Sequence, residues 1–303
     1  MVNRINSTRV IIAAVVAGVT ANLILGASSL FWRALSDIPT EVLLCYRILA
    51  SFFTLAVLVL MIGQCRNFIS ALTFERTLYH LGAALLIAIN WGTFVWSSIN
   101  GHVLETGIGY LIAPFVAIGI GALVLKEYLS KICRLAMAVI FFGVVLLLFN
   151  SAELKPLIYF SIGISWGCYA YVKKISKLDA LFGLVLETAF LSVAICFFIS
   201  TSDFSLAFEP TLPIESRLLV LGCGLISMLP LWLFSFSAKN LSLSVMGFFQ
   251  FILPITQISI ALFFYRQVLS VNTAICFSLI LAALLFIVYE SFLRTEKLNK
   301  IDS

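Results

Sequence analysis

Apolar residues in this chain arrive in runs longer than any strand or surface helix needs, broken by short polar stretches. Ten such runs recur, at 9–32, 40–62, 79–98, 105–124, 131–149, 157–171, 181–200, 218–238, 244–265 and 271–292, the sixth being the shortest. About 20 mainly apolar residues make a helix long enough to cross the hydrocarbon core of a bilayer. The runs lack the two-residue alternation of barrel strands, and unpaired backbone cannot face lipid, so each predicts a transmembrane α-helix. The expected fold is an all-α polytopic membrane protein with ten transmembrane helices. Arg4 and Arg9 precede the first run as they would in a signal peptide. That run exceeds a signal core and is followed by nine like it, which predicts a retained span.

Composition narrows the function. Of 303 residues, 62% are hydrophobic and 11% charged, against roughly half and a quarter in soluble proteins. An ordinary cytoplasmic enzyme is excluded, and the lipid bilayer is the main partner. The net charge of +5 is too small an excess to predict nucleic-acid binding. Seven cysteines show no CxxC spacing and no clustered histidines, so neither a disulfide framework nor a metal site is expected. No Walker loop, HExxH, GxSxG or paired-carboxylate motif occurs, and no catalytic residue or cofactor is predicted.

The cations carry orientation. Fourteen Lys and Arg fall in links on one side of the predicted spans and four (Arg33, Lys155, Arg217, Arg266) on the other, with Arg47 left inside a span. The excess marks the cytoplasmic side, which places both termini there in a cell (inner) membrane. An even number of spans is required by that split.

Shifting the sequence by 140 residues aligns "IAPFVAIGIGALVLKEYLS" at 112–130 with "ILPITQISIALFFYRQVLS" at 252–270 without a gap. The pairs include Phe94/Phe234, Ser97/Ser237, Asn100/Asn240, Gly107/Gly247, Pro114/Pro254 and Ile118/Ile258. Apolar matches arise by chance, but paired Pro, Gly and Asn indicate duplication. Each half holds five spans, an odd number, so the second half enters the membrane from the opposite side. Two inverted five-helix repeats, at 9–149 and 157–292 with a tail at 293–303, are a transporter architecture with its substrate site between the halves.

Charges within spans are costly and mark candidate functional sites. Arg47 in the second span coincides with Glu187 in the seventh under the same shift. The expectation is that both line a central cavity, Arg47 toward the outer gate and Glu187 toward the inner one. The plainer reading is that each belongs to a buried pair or reaches its nearer interface. Asn90 and Trp91 in the third span, Tyr110 in the fourth, and Gln250 and Gln257 in the ninth are further polar positions, which serve as solute ligands or as interhelical hydrogen bonds. Pro114 and Pro254 are candidate hinges, since each removes a backbone donor inside a span. The series Ala113, Ala117, Gly121 reads as a close-packing face. His102 and Glu105 are expected in a wet loop.

The stretch "NWGTFVWSSINGHVLETGIGYLIAPFVAIGIGALVLKEYLS" at 90–130 resembles the RarD permeases, a branch of the drug/metabolite transporter superfamily built from two EamA-type repeats. Asn90-Trp91, Phe94, Trp96, Asn100, His102, Leu104-Glu105, Gly109-Tyr110, Pro114 and Glu127 carry the resemblance. Pro39, Arg47, Lys173-Lys174, Gly183, Glu187-Thr188 and "LSLSVMGFFQFILP" at 241–254 extend it over nearly the whole chain. The first span, "ANLILGASSLFWRAL", lacks the family's aromatic-rich pattern, and Arg266-Gln267 replaces its Gly-Glu. The resemblance implies ten helices, cytoplasmic termini and transport of small organic metabolites or drugs.

Together these readings predict an inner-membrane secondary transporter, not an enzyme, for a small-molecule substrate of amphipathic or zwitterionic character. Arg47 is expected to bind a carboxylate. Glu187 is expected to bind an amine or to carry a proton, and Asn90, Trp91, Tyr110 and Gln250 to line the pocket. Proton or exchange coupling supplies the energy. The rival reading is a membrane-embedded accessory subunit without transport of its own.

Overall fold

The computed structural model describes residues 2–149, 155–202, 204–207 and 212–264, with 271, 274–275, 278 and 281–282 beyond them. The predicted tenth span, the tail, Arg266 and Gln267 lie wholly or mostly outside the described residues. Among those residues are twelve α-helices: α1 (Val2–Arg33), α2 (Thr40–Met61), α3 (Cys65–Ala71), α4 (Phe74–Ile99), α5 (Val103–Leu123), α6 (Lys131–Phe149), α7 (Pro156–Ile175), α8 (Ala180–Thr201), α9 (Ile214–Leu221), α10 (Cys223–Asn240), α11 (Leu243–Gln250) and α12 (Ile252–Phe263). Seven stretches are long and apolar enough to cross a membrane: Arg9–Arg33, Thr40–Met61, Phe74–Ile99, Val103–Leu123, Ala180–Thr201, Ile214–Asn240 and Leu243–Ile260. Large apolar side chains face outward along them, Phe53 being 71% exposed, Phe197 69% and Leu85 59%. Such a surface requires lipid around it.

Nine of the ten predicted runs fall on helices, with two refinements. The run at 157–171 underestimates α7, whose backbone continues through Lys173 and Lys174 to Ile175. Two spans are interrupted, one at Gly222 between α9 and α10 and one at Phe251 between α11 and α12. The short α3 was not expected. It has no buried residue and lies in the link between α2 and α4.

Contacts between links gather at two ends. At the basic end, the side chain of Lys177 lies 3.6 Å from Glu75, and Lys174 donates to the carbonyl of Leu241. At the opposite end, Tyr46 donates to the carbonyl of Leu206, and Lys155 meets His102 at 3.0 Å.

Helix boundaries in the second half repeat those of the first at the spacing found in the sequence. Thr40–Met61 and Ala180–Thr201 are 140 residues apart at both ends, and so are Val103–Leu123 and the combined α11 and α12. Packing partners exchange under the same shift. Helix α1 packs on α10 and α12, whereas α7 packs on α4 and α5; α2 packs on α10, whereas α8 packs on α4.

Candidate functional site

Arg47 stands two turns into α2 and is 2% exposed. Its guanidinium carbon lies 4.1 Å from the ring centre of Trp91 on α4, 4.6 Å from Trp32 on α1 and 6.0 Å from Phe94 on α4. The aromatic faces attract the cation through their quadrupoles. No carboxylate among the described residues comes within ion-pairing distance, and Nε and Nη1 are buried without a hydrogen-bond partner. A buried guanidinium with two of its nitrogens unpaired is unusual, because buried polar groups are nearly always hydrogen-bonded.

Other orphaned groups occur on the helices around this cage. The indole N–H groups of Trp32 and Trp166 and both amide atoms of Gln250 and of Gln257 are buried without partners. Asn90 differs: its carbonyl accepts from the Tyr110 hydroxyl at 3.1 Å, and its amide donates to Ser165 Oγ at 3.3 Å. It therefore fastens α4, α5 and α7 together. Trp96 stacks on His102 at the opposite end.

Glu187 occupies the related place on α8, two turns from its start, and is 1% exposed. It is fully engaged. Lys173 donates to Oε1 at 2.8 Å, His80 Nδ1 lies 2.6 Å from the same oxygen, and the Tyr169 hydroxyl donates to Oε2 at 2.9 Å. Lys173 and His80 are themselves buried. Lys173 thus leaves the set of loop cations, and thirteen against four still biases the same side. Arg47 and Glu187 are not each other's counter-ions.

An unbroken line of ring contacts joins the two charge centres. Phe94 meets Tyr110 edge-on at 6.0 Å, Tyr110 meets Trp166 at 6.1 Å, and Trp166 stacks on Tyr169 at 5.6 Å. Tyr169 then donates to Glu187.

At the opposite end Glu105 is 6% exposed, so the expected wet position is corrected to a buried one. His102 Nδ1 lies 2.8 Å from its Oε1 and His102 Nε2 3.0 Å from Lys155. These neighbours, together with Trp96 over the imidazole, screen it from water.

Outside the spans, Glu127 caps α11. It accepts from the amides of Leu243 and Ser244 at 2.8 Å each and from the Ser244 hydroxyl at 2.6 Å. Burial pushes its carboxyl up, but those hydrogen bonds and the nearby Lys174 charge outweigh burial and hold it below the usual carboxylate value.

Sequence reasoning did not single out His80, Tyr169, Trp166 or Trp32. His80 carried a usable signal: it is one of two histidines in the chain and begins an apolar run.

Comparison with known proteins bears on this arrangement. No protein-family model matches the chain. It is 28% identical over 288 residues to Protein RarD of Escherichia coli (strain K12), covering 94% of this chain and 97% of that protein. It is 32% identical over 276 residues to the Uncharacterized transporter YojE of Bacillus subtilis (strain 168), covering 88% and 90%. The chain belongs to the RarD-type permeases. Another relative of this RarD-type permease is an Uncharacterized transporter of Vibrio cholerae, 30% identical over 279 residues, with 89% and 90% covered. A solved crystal structure at 17% identity superposes with a TM-score of 0.63 over 89% of this chain and 94% of the other, which establishes a shared fold.

Proposed function

We propose that this RarD-type permease is an inner-membrane secondary transporter for a small organic metabolite or drug-like solute, whose anionic group binds Arg47. Two inverted five-helix repeats, at 9–149 and 157–292, rock against each other to alternate access, with both termini cytoplasmic. The names of its relatives and the multi-span fold support transport, and the exchange of packing partners under the 140-residue shift supports the pseudo-two-fold. The cation bias supports the orientation.

The observation that carries the solute class is the buried guanidinium with no carboxylate partner among the described residues. Leaving one partner of a buried ion pair alone costs about 3–5 kcal/mol, while each aromatic face returns only about 0.5–2 kcal/mol. A solute carboxylate completes the guanidinium's hydrogen bonds, and Trp91, Tyr110 and Gln250 contact the remainder. Glu187 already accepts three hydrogen bonds, one of them from Lys173, so it is poorly placed to hold a solute amine, and a proton taken up there would release Lys173.

Reconstitution into vesicles tests the reading. The expected result is counterflow of at least one labelled solute from a panel of amino acids, aromatic carboxylates and drugs, reduced at least about tenfold by Arg47→Met. Silence across the panel would favour the accessory-subunit reading, and undiminished counterflow in Arg47→Met would remove the arginine from the site.

A further inference from the structure

The cluster around Glu187 has a direction built into it. Oε1 of the carboxylate can only accept, which makes His80 Nδ1 the donor at 2.6 Å, and in that tautomer Nε2 is an acceptor. Ser176 Oγ lies 2.8 Å from Nε2 and accepts at 3.2 Å from the Leu178 amide. Its single hydroxyl proton therefore points at Nε2. Ser176, in turn, lines a cleft of about 170 Å³ at the basic end, together with Glu75, Arg76, Tyr79, Ile175 and Lys177. Glu75 and Lys177 in that cleft are well exposed. A chain of hydrogen bonds thus runs from a water-sized opening to a carboxylate buried in the bundle.

We propose that Ser176 and His80 form a proton relay from this cleft to Glu187, which makes the proton the second ligand of the transport cycle. The assignment rests on the transport reading for its use, but the proton site itself does not depend on it. In the forward step a hydronium ion in the cleft gives a proton to Ser176 Oγ, leaving water, as the serine passes its own to His80 Nε2. His80 Nδ1 then releases its proton to Glu187 Oε1. One proton has entered, only O–H and N–H bonds have exchanged, and the trio of Glu187, Lys173 and His80 has gone from net neutral to a charge of +1.

The groups facing the relay determine how the bundle responds to that added charge. From α7 they are Lys173 and Tyr169, and from the link that follows it Lys177. From α8 they are Glu187 and the capping Asp179, and from α4 itself Glu75, Arg76 and Tyr79. Lys239 of α10 stands within electrostatic range of Asp179 and Lys173. Protonated Glu187 no longer offsets Lys173, and with Lys239 nearby the clasp between α7 and α8 is weakened. Tyr169, whose hydroxyl bonds Glu187 and whose ring stacks on Trp166, passes that change toward the aromatic path to Arg47.

Having only two histidines makes a direct test feasible. Protein labelled with ¹⁵N-histidine and carrying His102→Gln, held in lipid nanodiscs, shows a single imidazole, that of His80. Its resonances are expected to report, as pH is lowered, the move of the ring hydrogen from Nδ1 to Nε2 that proton delivery to Glu187 requires. Ser176→Ala, which leaves the helices intact, is expected to slow exchange of that proton with water by about tenfold or more. An imidazole unchanged as pH is lowered in a monodisperse protein overturns the site, and an unaltered exchange rate in Ser176→Ala overturns the route. In vesicles, the pH profile of counterflow is expected to flatten in His80→Gln, and an unchanged profile overturns the coupling. A solute panel that gives no counterflow counts against transport alone, since the nanodisc titration still decides the proton site.

Discussion

Arg47 and Glu187 differ in what surrounds them, and that difference can be measured. Arg47→Met keeps the volume and the ring contacts while removing an uncompensated charge. It is expected to raise stability by about 1–3 kcal/mol while abolishing solute binding, read as a higher Tm in detergent together with lost counterflow. A fall in Tm would show that the guanidinium serves the fold. Gly183 of α8 backs the other centre so closely that a Cβ there would meet His80 Cε1 at 2.5 Å and Lys173 Nζ at 3.1 Å. Gly183→Ala should therefore displace the imidazole and change the pH dependence of transport more than its maximum rate. Glu127 offers a pH effect of known sign. Its carboxyl is held low in the folded protein, so its contribution is present above the unfolded value of about 4.3 and is lost as pH falls through the lower folded value. Glu127→Gln should lower Tm at neutral pH, where the contribution is present, and flatten the acid limb of a Tm-against-pH curve so that variant and parent converge at low pH. Of these residues, Arg47 and Glu187 were legible because a charge in an apolar run stands out. Lys173 was not, because it adjoins Lys174 at the end of a run and only the tertiary fold turns one inward and the other toward the Leu241 carbonyl.

At the level of elements, the two prolines matched in sequence sit in different surroundings. Pro114 lies inside the continuous α5, whereas Pro254 follows the interruption at Phe251, in the first turn of α12. A proline at that place cannot donate to the Gln250 carbonyl, so Pro254→Ala is expected to stiffen the α11–α12 span and slow counterflow without reducing membrane insertion. Glycine contacts show the same inequality. A Cβ on Gly247 would lie 2.4 Å from Ile118, but one on Gly107 would lie 3.8 Å from Ile258. These pairs exchange under the 140-residue shift, so α5 approaches α11 tightly toward the basic end and α12 loosely toward the opposite one. In the proposed cycle the looseness swaps ends. Gly247→Ala should then destabilise the present conformation, while Gly107→Ala should be tolerated in it yet slow turnover, a contrast readable by comparing Tm with counterflow rate. Spans were legible because hydropathy is local and additive along a helix. The breaks at Gly222 and Phe251 were not, since neither interrupts the apolar run.

Across the whole molecule, the ring contacts from Arg47 to Tyr169 draw on α1, α2, α4, α5 and α7, and no sequence pattern announces such convergence. The 140-residue shift read from the sequence matches the observed boundaries of α2 and α8 at both ends. The crossed packing has a further consequence for biosynthesis. Helix α1 finds its main partners in α10 and α12, which leave the ribosome about two hundred residues later. The first helix inserted is thus among the last to be packed, and Asn22, buried in the finished bundle, bonds only the Gly18 carbonyl of its own helix. A nascent chain halted before α10 should expose α1 to membrane quality control, so that assembly is checked end against end before the protein is allowed to persist.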